Sequence, residues 1–175
     1  MKIIAYGAGG VVAAILVMWA VGLAIPAEHS VSGGASLTVP PDSVWAVLTD
    51  YQGYPTWRKE LLRVEMLPPR EGHPVWREYA AHDQNVAFEA VDAAVNSRLV
   101  IVIADRNLPY EGSWTITLAS ENGGTRVSID EEGRVNSPIL RFIARVFFNP
   151  TSSIENYLKA LGERFGKLRI KNEEL

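Results

Sequence analysis

Carboxylates, histidines and arginines are the side chains of this chain that can do chemistry, and their placement narrows which chemistry. Glu131 closes the run Arg126–Glu131, in which Val127 and Ile129 alternate with polar residues. Successive strand side chains point to opposite faces, so Glu131 shares the inward face of Val127 and Ile129. A carboxylate at the rim of an apolar interior has a raised pKa and suits general acid or base work. The competing reading pairs it with an arginine such as Arg141, or leaves it solvated at the strand end. Glu78 and Asp105 can also face that interior, although the sequence does not fix their phase, and Tyr79 adjoins Glu78. These candidates do not converge in any local pattern, so the catalytic residues are unknown at this level.

His29, His73 and His82 fall in linker or turn positions without metal-ligand spacing and read as solvated. The chain has no cysteine, which excludes disulfides, thiol catalysis and thiolate metal sites. No G-x-S-x-G elbow is present. Neither a metal nor a cofactor is expected. Arg141 and Arg145 lie four apart and share a helix face. They are either solvated, bridged to the sheet, or placed to hold an acidic headgroup.

The elements that position these residues follow from periodicity. Ala35–Val39 reads as a strand. Pro40-Pro41-Asp42 then opens a helix with Val44, Trp45, Val47 and Leu48 on one face, and an aromatic turn holds Tyr51, Tyr54 and Trp57. Strands are predicted over Leu61–Leu67, Val75–Ala81, Val86–Val95, Leu99–Ala104, Ser113–Ala119 and Arg126–Glu131, separated by turn residues. From Ser137-Pro138 the chain is helical, with a kink or restart at Asn149-Pro150. Ile154, Tyr157, Leu158, Leu161 and Phe165 then recur at helical spacing. The order predicts an α+β fold, a curved seven-stranded antiparallel sheet against a long C-terminal helix.

Ile4–Ile25 contains no charged residue. A run of about 22 residues reaches roughly 33 Å as a helix, enough for a bilayer core. The sequence therefore predicts a transmembrane anchor over residues 1–25, a linker over 26–34 and a folded domain over 35–175. A cleaved signal peptide is the rival reading, with a poor cleavage site near Ala27. Gly7, Gly9 and Gly10 do not make a nucleotide loop, because no strand precedes them. Lys2 before the span predicts a cytoplasmic N-terminus, hence a single-pass membrane protein with an extracytoplasmic domain. The linker would hold that domain within about 30 Å of the bilayer. The net charge of −3 and the lack of a basic run argue against nucleic acid as a partner. Oligomeric state is not readable.

Two stretches carry a family likeness. LTVPPDSVWAVLTDYQGYPTWRKELLRVEML (Leu37–Leu67) and GTRVSIDEEGRVNSPILRFIARVFF (Gly124–Phe148) resemble the polyketide cyclase/dehydrase and lipid-transport family of the START-like (SRPBCC), helix-grip superfamily. The resemblance implies a hydrophobic pocket between sheet and C-terminal helix. Candidate walls are Trp57, Trp76, Phe88, Ile101, Trp114, Ile116, Ile129, Ile143 and Phe147, with Glu131 at the rim. Each of these apolar residues can equally be plain core. The expectation is a membrane-anchored domain binding a hydrophobic small molecule or lipid, with Ile139–Phe148 as lid or membrane-facing element. The alternatives are a cyclase or dehydrase acting on a polyketide-like substrate, and a non-catalytic interaction module whose cavity is filled by its own side chains.

Overall fold

The computed structural model describes residues 2–147, 149, 151–166 and 169–170. For residues 2–9 and 169–170 it describes the backbone only. The sheet is built from β1 (Glu28–Leu37), β2 (Leu61–Arg70), β3 (His73–Ala80), β4 (Asn85–Ala94), β5 (Arg98–Ile103), β6 (Tyr110–Glu121) and β7 (Gly124–Val135). A two-residue β8 (Arg169–Ile170) adds to the edge. All pairs are antiparallel, in the order β2-β3-β4-β5-β6-β7-β1-β8.

Alternation along the strands produces the core. Leu99 and Ile101 of β5, Ile116 and Leu118 of β6, and Val127 and Ile129 of β7 are buried on one face. Two helical elements cap that face: α2 (Pro41–Thr49), which contributes Val44 and Leu48, and the 3₁₀ turn Tyr51–Thr56. The C-terminal helix is split. One segment is α3 (Pro138–Phe147) and the other is α4 (Ser152–Arg164), whose Ile154, Tyr157, Leu158 and Leu161 complete the core. The expected break near Asn149-Pro150 thus falls between two helices, and α4 is the one that packs into the core against the sheet.

The N-terminal reading requires correction. The segment is helix α1 (Lys2–Ala24), but among the described residues no helix is long and apolar enough to cross a membrane. The far end of α1 rests on protein. The Gly22 backbone is buried directly against the Pro138 carbonyl, leaving no room for a Cβ, and α1 packs along α3. The anchor over residues 4–25, the bilayer as partner, the single-pass topology and the extracytoplasmic placement are therefore set aside. So is the part of the functional expectation that rested on them.

The segment 26–34 is also different from expectation. Most of it is β1, which pairs continuously with β7 from Glu28↔Arg134 to Leu37↔Thr125. Its residues include small and polar Ser30, Ser32, Gly33 and Gly34, so it lacks the apolar period that marks a strand. Arg141, offered as a partner for Glu131, instead donates to three backbone carbonyls: Val135 at 2.8 Å, Ile25 at 3.1 Å and Asn136 at 3.1 Å. Those bonds tie α3 to the ends of β7 and α1. Arg145 is exposed.

Candidate functional site

A cavity of about 470 Å³ lies between the inward face of the sheet and the first turns of α4. Its apolar wall comes from successive strands: Trp76, Phe88, Ile101, Ile103 and Trp114. These positions point inward because each is in phase with a buried neighbour on its strand. The aromatic rings brace one another. Trp76 stacks on Tyr51 at 3.9 Å and on Phe88 at 5.9 Å, while Tyr157 of α4 meets Trp57 and Trp114 edge-on at 5.3 and 5.2 Å. Edge-on and offset contacts of this kind suit the ring quadrupoles and hold the wall rigid.

Two polar groups break the apolar lining. The first is deep. Arg58, just after the 3₁₀ turn, places Nη1 2.8 Å from Glu78 Oε1, and its Nε lies 2.9 Å from Glu60. Trp76 Nε1 donates to the same Glu78 oxygen at 3.0 Å. The guanidinium also sits 5.4 Å from the ring centres of both Tyr54 and Tyr157. Burial disfavours its charge, but the Glu78 carboxylate more than compensates and holds Arg58 protonated above its ordinary range. Beside it the Tyr157 hydroxyl is buried and has no hydrogen-bond partner among the described residues. The adjacent Tyr54 hydroxyl donates elsewhere, to the Leu48 carbonyl at 2.7 Å. Burial pushes the Tyr157 phenol well up, outweighing the Arg58 charge and the neighbouring Tyr54 hydroxyl, so it stays a proton donor.

The second group lies at the rim. Glu131 Oε2 accepts from Trp114 Nε1 at 2.9 Å and from Ser153 Oγ at 3.0 Å. Its Oε1 lies 3.5 Å from His29 Nε2. The His29 ring rests directly on Gly133, where a Cβ would collide with it. No group of histidine, aspartate and glutamate able to hold a metal occurs among the described residues.

Of the sequence candidates, Trp76, Phe88, Ile101, Trp114 and Glu131 are brought together on the cavity. Trp57, Ile116 and Ile129 are buried in the core behind it. Ile143 and Phe147 lie on α3, away from the lining, and Phe147 is 73% exposed. The segment Ile139–Phe148 is therefore no lid in its described part, which packs on α1; Phe148 lies outside the described residues. Glu78 does face the cavity. Tyr79 points away and bonds Glu65 at 2.8 Å, and Asp105 is held outside by Arg77 at 2.9 Å. His73 belongs to β3 and lies 3.3 Å from Glu89, and His82 occupies a left-handed turn position.

Sequence reasoning missed Arg58, Tyr157, Ser153 and His29 as site residues. For Arg58 a signal existed, since a cation following three aromatic residues in YQGYPTWR is placed to stack on rings. For His29 the signal was hidden by the unrecognised β1.

Seven antiparallel strands closed over one C-terminal helix, with an apolar cavity between them, define the helix-grip fold. A family model described as polyketide cyclase / dehydrase and lipid transport matches residues 37–153, and the chain belongs to that family. Among solved structures it is similar to protein TTHA0849 of Thermus thermophilus. There the TM-score is 0.65 and the identity 21%, over 78% of this chain and 97% of that one. It is also similar to the Zhui aromatase/cyclase of Streptomyces sp. R1128, with a TM-score of 0.61 and 17% identity over 78% and 93% of the two chains. A third is norcoclaurine synthase of Thalictrum flavum, at 0.61 and 8% over 78% and 86%. Likeness at these identities shows the fold alone. No curated protein matches the chain.

Proposed function

We propose that this protein binds an apolar, carbonyl-bearing small molecule of polyketide type in its cavity and catalyses a cyclase/dehydrase reaction on it. The observation that carries this reading is Tyr157, which lines the aromatic-walled cavity beside the charged Arg58 and whose hydroxyl is packed into the wall without a hydrogen-bond partner among the described residues. An unsatisfied buried donor costs about 1–3 kcal/mol. A ligand carbonyl that draws the Tyr157 hydroxyl out of the wall and accepts from it would recover that cost. The same donor, with the Arg58 charge nearby, would stabilise negative charge developing on the carbonyl oxygen during enolisation. The family and the fold shared with an aromatase/cyclase support the same reading. The cavity is open, so the interaction-module alternative loses the filled interior it required.

The chemistry is loss of water from a β-hydroxyketone. A base takes the proton from the carbon next to the carbonyl, and the electron pair moves onto the oxygen. The pair then returns to form the carbon–carbon double bond as the β C–O bond breaks, and the departing hydroxide takes a proton and leaves as water. The test substrate is the β-hydroxyketone that dehydrates to benzalacetone, whose conjugated product is followed by its absorbance. Saturable formation of benzalacetone above the rate with heat-denatured protein is expected. Absence of both turnover and calorimetrically detectable binding would overturn the proposal.

A further inference from the structure

We infer that His29 is the base that takes the carbon-bound proton, with Glu131 as its positioning residue and Gly133 as the seat that aims it. The inference rests on the function proposed above and adds the proton acceptor that it lacks. Glu78 is already engaged by Arg58 and Trp76 on one oxygen and faces a permanent cation. Those two donors hold the carboxylate in place as the counter-charge of Arg58.

At the rim the arrangement differs. Glu131 is fixed by Trp114 and Ser153 through Oε2 and turns Oε1 towards His29 Nε2. No hydrogen bond engages His29 Nδ1 among the described residues, and His29 lines the cavity. The 3.5 Å contact of Glu131 with His29 is an ion-pair distance; as it tightens, the carboxylate would hold Nε2 as a donor, leave Nδ1 as an acceptor, and stabilise the imidazolium that forms on proton transfer. The other charged residues on this cavity wall are Arg58, Glu60, Glu78 and Glu111.

One glycine makes the geometry possible. Gly112 of β6 and Gly133 of β7 are cross-strand partners, and His29 of β1 pairs with Gly133 on the other side. A Cβ at Gly133 would drive into the imidazole ring. The ring can therefore lie flat on the sheet, within reach of Glu131, only while residue 133 has no side chain. His29 also lies outside residues 37–153, the part of the chain that the family model matches. This base would be an addition carried by the early half of β1.

Benzylacetone, which has the same skeleton without the β-hydroxyl, isolates this step. The base removes a proton next to the carbonyl, leaving the enolate, and the conjugate acid, having exchanged with heavy water, returns a deuteron to the same carbon. Exchange is read by proton NMR and binding by calorimetry, on the full chain. His29→Gln is expected to slow the protein-dependent exchange at least tenfold while the affinity changes less than threefold. Added imidazole should restore exchange in His29→Ala, where the space above Gly133 is vacated, and not in His29→Gln. Gly133→Ala, which displaces the ring, should copy His29→Gln with benzylacetone still bound.

Wild-type exchange retained in His29→Gln with binding intact would overturn the inference and leave the proposed function standing. So would binding by the wild type without any exchange. Failure of the wild type to bind benzylacetone at all would remove the function reading and the base with it.

Discussion

The two ends of the cavity hold similar residues and use them differently. At the deep end Glu78 meets a guanidinium at 2.8 Å, and the pair is largely buried, with the Arg58 and Glu78 side chains 15% and 9% exposed. At the rim Glu131 meets an imidazole at 3.5 Å, with side chains 19% exposed for Glu131 and 42% for His29. Arginine cannot release its proton under ordinary conditions, so the deep pair is a fixed charge arrangement that shapes the chamber. Histidine can gain and lose a proton, so the rim pair can act on a ligand. A carboxylate on an apolar face is thus structural or chemical according to the partner it is given, and that partner comes from a distant part of the chain in both cases.

The sharpest way to break this contrast is to remove the deep carboxylate. Glu78→Ala leaves Arg58 buried without its counter-charge and should cost roughly 3–5 kcal/mol of folding stability, measured by denaturant unfolding. A loss under about 1 kcal/mol would mean that water or Glu60 already screens the guanidinium. Filling the chamber should act on binding. At Gly112 a Cβ would find only ordinary contacts, 3.4 Å from the Glu132 carbonyl and 3.5 Å from Ile103. Gly112→Leu should therefore fold normally and weaken benzylacetone binding about tenfold, or about 1.4 kcal/mol. Unchanged affinity would place the ligand outside the cavity.

The smallest effect belongs to an outer-face pair that does no site chemistry. Burial pushes the Asp105 carboxyl upward, but bonds from Arg77 and the Ala87 N–H outweigh it and leave the pKa below the usual carboxylate range. A folded-state pKa lowered in this way stabilises the protein above the unfolded value of about 3.9, and the stabilisation is lost as pH falls through the folded value. Asp105→Asn should remove about 1 kcal/mol near neutral pH and flatten the acid limb of the stability curve, while ligand binding stays unchanged. A binding defect in this variant would blur the distinction between the two faces.

The sheet and its helices were legible because their signals are local. Strict alternation in Ser113–Ala119 and Arg126–Glu131, and the turn residues between strands, announce the central parts of β6 and β7, which extend beyond them at both ends. The inward placement of Glu131 was legible for the same reason. Its partners were not, because they depend on pairing across the sheet. His29 reaches Glu131 only through the β1–β7 register, and β1 hides in a run of serine and glycine that looks like a linker. The apolar stretch in α3 misled in the opposite direction. Ile143 has the hydrophobic character of a cavity wall, but it lies on a helix that packs against α1. Composition identifies apolar residues well and says little about which apolar neighbour they meet.

The central claim is that a ligand carbonyl accepts the Tyr157 proton inside the cavity, and the infrared carbonyl stretch of bound benzylacetone tests it most directly. In the wild-type complex the band should shift to lower frequency than in an apolar solvent. In Tyr157→Phe it should return towards the apolar-solvent position, with binding weaker by about 1 kcal/mol and folding stability undiminished. The same band position in both proteins would contradict the claim, because the hydroxyl would then be donating to something other than the ligand.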